Sequence, residues 1–352
     1  MATKEFLSAT KPLARSRALL LVACVALAVL VACGVAAVAA LEPAKAAFPG
    51  KNGAIAFSSN EGSAGNGFQV WRVNPNGSGK SVLTDFPTDN HNLNPAWSAD
   101  GKKIAFDSCE PLPPPDDNYC HNDVWVMGAN GSDPVKVTSE GHLQVTLEPS
   151  WFPTGSKIVY SGGTECITND ACDLYALEFD DSGATVSLTN LSNTPNVSER
   201  SPAVSPDGNR IAFTSYRDGD TEIYVMGATG LSAGQPSVML TNNAVYDTVP
   251  VWSPDGQTIA FVRWLPRVDN SPNYEIFAMN ADGTGKTNIT KTPDASEDAP
   301  AYSPNGKRIA FSSNRDGRNG IWKMGANGSH PTQLTAPTTE FYSTGPDWQP
   351  LP

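Results

Sequence analysis

The sequence predicts an all-β chain: a six-bladed β-propeller closed by its own C-terminal strand and preceded by an N-terminal export or anchor segment. Three observations predict it. One motif recurs along the body, its first copy lacks a strand that turns up at the far end of the chain, and 30 Gly and 29 Pro among 352 residues leave little room for long helices.

The N-terminal segment, residues 1–46, comes first. Lys4, Lys11, Arg15 and Arg17 precede an unbroken apolar run from Ala18 to Leu41. Positive charge followed by an apolar stretch of that length directs the remainder of a chain across a membrane, so an extracytoplasmic location is expected. Three fates stay open. Ala44-Lys45-Ala46 has the small-x-small pattern of a signal-peptidase site, Leu30-Val31-Ala32-Cys33-Gly34 resembles a bacterial lipobox, and the run is long enough to remain as an anchor.

Residues 47–352 read as one domain. Five segments follow a Pro-x-aromatic-Ser-x-Asp-Gly-x-x-Ile-Ala-Phe pattern, starting at Pro95, Pro149, Pro202, Pro250 and Pro300. A sixth Ile-Ala-Phe, at Ile55–Phe57, has no Pro-x-Trp strand before it; Pro346-Asp347-Trp348 supplies one at the other end. A ring whose last strand completes its first blade explains both features and leaves no sheet edge where the ends meet. Ile55, Ile104, Ile158, Ile211, Ile259 and Ile309 mark six blades at intervals of 48 to 54 residues. In each blade the first strand holds Pro-x-Trp and the second Ile-Ala-Phe. Ser-Pro-Asp-Gly turns the chain between them, with Pro at the second turn position and Gly in the left-handed one. Third strands are expected around Val124–Met127, Ile223–Met226, Ile276–Met279 and Ile321–Met324. Short fourth strands end in pairs such as Leu240-Thr241.

The run Ser205-Pro206-Asp207-Gly208, Ile211-Ala212-Phe213, Arg217-Asp218-Gly219 and Ile223-Tyr224-Val225-Met226 resembles the WD40-like (PD40) repeats of TolB-family propellers. The same repeat type occurs in the propellers of prolyl oligopeptidase and dipeptidyl-peptidase IV relatives. The resemblance covers roughly residues 50–350 and implies the fold, together with protein partners near one mouth of the channel. Blade 3 departs furthest, with Phe152-Pro153-Thr154-Gly155 in place of the usual turn.

Charge narrows the partners. The chain carries a net −12, and removing the leader's net +3 leaves −15, which repels phosphate backbones and disfavours nucleic acid. The body keeps four cysteines in two local pairs, Cys109 with Cys120 and Cys166 with Cys172. These are the natural bridges in an oxidising compartment, although four cysteines allow three connectivities.

Most candidate chemistry dissolves on inspection. Gly230-Leu231-Ser232-Ala233-Gly234 matches a nucleophile pattern but lies in a strand-connecting loop, without the strand-elbow-helix that the motif needs. His91, His121, His142 and His330 show no metal-site spacing, and the Asp-Gly pairs read as turns, so no metal or cofactor is expected. Trp97, Trp151, Trp252 and Trp348, with Tyr302 and Val204, occupy one slot per blade and read as packing between blades. One constellation remains. Asn92, Thr146, Glu199, Asp247, Glu297 and Ser343 each lie three residues before a first-strand proline and are expected to ring one mouth of the channel, with Arg200 and Asp298 beside them. The expected function is a non-catalytic module that engages a protein or peptide there, as a monomer. The alternative is a propeller enzyme (lactonase, glycosidase or polysaccharide lyase) using rim carboxylates, histidines and a divalent metal.

Overall fold

The second strand of each repeat is buried on both faces. The isoleucines of Ile-Ala-Phe and Ile-Val-Tyr, at 55, 104, 158, 211, 259 and 309, are all fully enclosed. Strands read as continuous apolar runs where both faces of a sheet are covered, and here the covers are the neighbouring sheets. The computed structural model describes residues 47–62, 67–87, 90–111, 120–138, 146–163, 166, 171–194, 196–231, 236–267, 272–336 and 342–352; of residues 111, 120, 121, 146 and 272 only the backbone is described.

The described residues form six four-stranded antiparallel sheets, the blades of a propeller. Blade 1 contains β1 (Lys51–Ser59), β2 (Gln69–Val73) and β3 (Ser81–Val82). Blade 2 is β4 (His91–Trp97), β5 (Lys103–Pro111), β6 (Cys120–Gly128) and β7 (Val135–Lys136). Blade 3 is β8 (Thr146–Trp151), β9 (Lys157–Gly162), β10 (Asp173–Phe179) and β11 (Thr185–Asn190). Blade 4 is β12 (Glu199–Val204), β13 (Arg210–Ser215), β14 (Glu222–Gly227) and β15 (Val238–Met239). Blade 5 is β16 (Asp247–Trp252), β17 (Thr258–Pro266), β18 (Pro272–Asn280) and β19 (Thr287–Asn288). Blade 6 is β20 (Glu297–Tyr302), β21 (Arg308–Ser313), β22 (Gly320–Gly325) and β23 (Thr332–Gln333), and β24 (Ser343–Leu351) then pairs with β1, from Lys51 opposite Leu351 to Ser59 opposite Ser343. First strands pack on first strands around the ring, β24 lying between β20 and β4, so they are the innermost layer.

The Ser-Pro-Asp-Gly turns are locked by their own side chains. Ser205 Oγ donates to Asp207 at 2.5 Å and accepts the Arg210 N–H at 2.9 Å, and Ser98 and Ser253 repeat the arrangement. Their glycines sit at φ of +67 to +74°, where a side chain would be strained. At the other rim the fourth strand is clasped by a hydroxyl. In all six blades the Thr or Ser after it (Thr84, Thr138, Ser192, Thr241, Thr290, Thr335) accepts a third-strand N–H within 3.1 Å. The expected Leu-Thr pairs are therefore not the fourth strand itself but the clasp that follows it.

The aromatic slot is packing, as read. Trp97, Trp151, Trp252, Trp348, Tyr302 and Val204 are all buried, and Trp151 and Trp252 donate their indole N–H to Ala96 and Ala203 carbonyls of the preceding blades at 2.9 and 3.1 Å. Cys166 and Cys172 form a disulfide, and Cys109 is disulfide-bonded too; the side chain of Cys120 lies outside the described residues.

Two features shape the end of the ring where the inner strands begin. The β5–β6 and β17–β18 hairpins are built from nine-residue strands where blades 3, 4 and 6 have six or seven. Three extra residues extend a hairpin by about 10 Å. Blades 2 and 5 face each other across a six-membered ring, so these hairpins stand as opposed walls beside the mouth.

Candidate functional site

The inner strands begin at or next to the predicted ring. Glu199, Asp247, Glu297 and Ser343 are first residues of β12, β16, β20 and β24, Thr146 is first in β8, and Asn92 is second in β4. The six positions therefore share one end of the ring. Their exposure differs from the expected acidic arc. The side chains of Glu199, Asp247 and Glu297 are fully buried, and each carries an arginine.

The reason is local. Arg217 and Arg315, just after the second strand, and Arg263, within it in β17, lie over their own blades. Arg217 reaches Glu199 at 2.7 Å, Arg315 reaches Glu297 at 2.7 Å, and Arg263 grips Asp247 through two 2.6 Å bonds. Each guanidinium also lies over an aromatic ring of the third strand, Tyr224, Phe277 or Trp322, at 4.5 to 4.8 Å. Partners on both sides fix the arginine, and the carboxylate is screened from water.

Each acid is tied to the preceding blade as well. Thr194 Oγ1 lies 3.2 Å from Glu199 and 3.3 Å from Asp173 of β10. Asn243 bonds Asp247 at 2.8 Å and takes up Glu222 of β14 through its backbone N–H at 2.5 Å. Thr292 joins Glu297, at 2.9 Å, to Glu275 of β18, at 2.6 Å. Three successive junctions thus share one design: two carboxylates, one bridging side chain, one arginine. The junction of blades 1 and 2 is its neutral counterpart, with Asn92 donating to Gln69 at 3.1 Å, and Ser343 meets Ser59 at 3.1 Å within blade 1. The side chain of Thr146 lies outside the described residues.

A second ring lies two residues further along every inner strand. Asn94, Glu148, Ser201, Val249, Ala299 and Gly345, each just before the first-strand proline, have φ between +50 and +63°. Every inner strand bulges there. Only Gly and Asn tolerate this conformation readily, and a β-branched residue such as Val249 is strained in it. The amide that the bulge turns out of the ladder is caught, in several blades, from the blade before. Asp107 accepts the Glu148 N–H at 3.3 Å, Glu148 the Ser201 N–H at 2.5 Å, Thr214 the Val249 N–H at 3.2 Å, and Ser312 the Gly345 N–H at 3.2 Å. In blade 6 Asp298 catches the Ala299 N–H at 2.7 Å. Arg200 is half-buried, bonded to Ser198 at 3.1 Å and close enough to Glu148 to oppose the effect of its burial.

Burial is the largest influence on Glu148, Glu199, Glu222 and Glu297. It holds Glu148 and Glu222 above the ordinary 4.5, and Asp247 raises Glu222 further. A group raised in the folded state gives stability that is complete below its unfolded value and is lost as pH rises through the folded one. The exposed turn aspartates Asp207 and Asp255, lowered by their serine hydrogen bonds, act in the other direction, below 3.8. The thermal midpoint is therefore expected to fall from mildly acidic to mildly alkaline buffer. Glu222→Gln should flatten that fall; an unchanged slope would count against the assignment.

No protein-family model matches the chain. It is 26% identical over 266 residues to the Tol-Pal system protein TolB of Francisella tularensis subsp. holarctica, covering 75% of this chain and 55% of that protein. Solved TolB from Acinetobacter baumannii superposes with a TM-score of 0.64 at 20% identity, over 86% of this chain and 68% of that one. The chain folds as a TolB-like β-propeller. A putative TolB from Agrobacterium tumefaciens matches with a TM-score of 0.59 at 17% identity, over 84% of this chain and 99% of that one. The chain spans about half the length of the curated relatives it matches.

The remaining candidates of this TolB-like propeller are dispersed or lie outside the described residues. His91 lies against Phe68, ring centres 5.8 Å apart, and His330 is exposed in a turn at φ +52°. The side chain of His121, and His142 and Ser232 entirely, lie outside the described residues. Among the described residues no cluster of three or more His, Cys, Asp or Glu could hold a metal. Sequence reasoning missed the three arginines, although Arg-Asp-Gly directly after the second strand in blades 4 and 6 was a visible signal. The bulge ring had a fainter one, since only Asn94 and Gly345 are residue types that favour its conformation.

Proposed function

We propose that this TolB-like propeller is an extracytoplasmic, non-catalytic binding module that engages a protein or peptide of the cell envelope at the mouth where its inner strands begin. The observation that carries the reading is the match to a Tol-Pal system protein along three-quarters of the chain. The basic-then-apolar leader, residues 1–46, supports export, and the pairing of β24 with β1 supports a ring closed by the C-terminal strand.

The contact chemistry is reassigned within the mouth. Glu199, Asp247 and Glu297, with Asn92 and Ser343, act as its rigid frame, and Thr146 belongs to the same ring. Arg200 and Asp298 stand next to that frame. Tyr216, Tyr246 and Tyr342, each 38 to 44% exposed, offer the large apolar surface at this end, where Tyr246 also meets Trp264 with ring centres 5.7 Å apart. Exposed aromatic side chains flanked by charge are the usual anchors of protein interfaces.

Affinity capture from an envelope extract tests the reading, with the native chain and a Tyr246→Ala/Tyr342→Ala variant as baits. A partner retained by the first and lost at least about tenfold by the second is expected, as for removal of an interface anchor. Equal capture by both baits, with equal thermal midpoints, would place the contact elsewhere.

A further inference from the structure

The first two described residues, Ala47 and Phe48, are only 5% and 4% exposed. They do not pack in one place. Phe48 belongs to the apolar cluster of blades 2, 3 and 4, with Ala96, Trp151, Phe152 and Val204. Ala47 belongs to the cluster of blades 5 and 6, with Val251 and Tyr302. Consecutive Cα atoms are about 3.8 Å apart. A dipeptide that joins clusters on opposed arcs of a ring must lie across the ring's axis.

The chain then identifies the end. Gly50 donates its N–H to Pro304 O at 3.2 Å, in the turn between β20 and β21, and β1 starts at Lys51 beside Leu351. This is the end where first strands turn into second strands, opposite the mouth framed by the acid–arginine pairs.

A separate observation points the same way. Blade 3 replaces the turn serine with Phe152, and so gives up the hydroxyl that elsewhere ties the turn together. What remains is the backbone pair, Phe152 N–H to Lys157 O at 2.9 Å and Gly155 N–H to Phe152 O at 3.2 Å. Phe152 is 5% exposed and shares the cluster of Phe48. The repeat's largest departure thus lies where an apolar seat for Phe48 is required.

We propose that Ala47 and Phe48 form a plug, seated on Phe152, that seals the turn end of the channel. The channel is then a blind socket, and a ligand reaching into it enters and leaves by the same mouth.

Cysteine labelling of the full chain tests this. Ala47→Cys and the exposed control Lys51→Cys are labelled with a bulky maleimide, and the modified peptide is located by mass spectrometry. Cysteine at 47 is expected to react about tenfold or more slowly than at 51 in native buffer and equally fast in urea. Restoring the repeat with Phe152→Ser should lower the thermal midpoint and release that protection. Equal native rates at 47 and 51, or a Phe152→Ser protein that is as stable and as protected as the parent, would overturn the plug.

Discussion

Replacing Arg315 with alanine is expected to destabilise the propeller by about 3–5 kcal/mol, the usual cost of stranding one member of a buried ion pair. Glu297 has no solvent to fall back on, since its side chain is fully buried while Arg315 keeps 16% exposure. Without the guanidinium, Glu297 keeps its bonds from Thr292, at 2.9 Å, and Ser313, at 3.1 Å, but loses its counter-charge. Burial already biases this carboxyl toward its neutral form, above 4.5, with the arginine as the main opposing influence. The variant should therefore recover much of its stability in acid, where Glu297 is protonated. Pairing the change with Glu297→Gln should restore most of the loss at neutral pH. Chemical denaturation of the two singles and the double measures it. A single substitution costing under about 1 kcal/mol, the range of exposed pairs, would mean that the pair contributes no more than a surface bridge.

Truncation after Tyr342 is the second large effect. It removes β24, which provides Trp348 to the core of blade 1 and Asp347, whose carboxylate accepts the Trp97 N–H of blade 2 at 2.7 Å. It also leaves β1 from Ile55 to Ser59 with one edge unpaired and fully buried side chains newly open on that side. An apolar, unpaired edge is a template for aggregation. The truncated chain is expected to be insoluble or to lose its cooperative melting transition. Removal of Leu351 and Pro352 alone, both exposed, should change little. A truncated chain that melts like the parent would show that the ring does not depend on this strand.

The blades were legible because a propeller repeats the same physical problem six times. Ile-Ala-Phe must be apolar on both faces, Ser-Pro-Asp-Gly must turn, and a tryptophan must fill the gap to the next blade, so each requirement left a periodic mark. The mouth was half legible. The positions Asn92 to Ser343 were found by their offset from the prolines, but their charge was misjudged because the neutralising arginines lie 16 to 18 residues away along the chain. Spacing along one strand cannot report a bond between two. The bulge ring was missed for another reason: Glu148, Ser201, Val249 and Ala299 take a conformation that their side chains disfavour. Only the surrounding ring imposes it.

That ring of left-handed residues has a consequence for how the molecule is assembled. The amide exposed by each bulge is satisfied, at Glu148, Ser201, Val249 and Gly345, by a side chain of the blade before. Blade 3, 4 or 5 made alone would retain an orphan donor and a strained residue, with nothing to offset either. Stacked solenoids grow unit by unit, each new repeat gaining stability from the last. Here a partial stack carries the strain at each step and still has two open ends. The chain should therefore show few long-lived intermediates, folding and melting as a single cooperative unit despite its six near-identical parts.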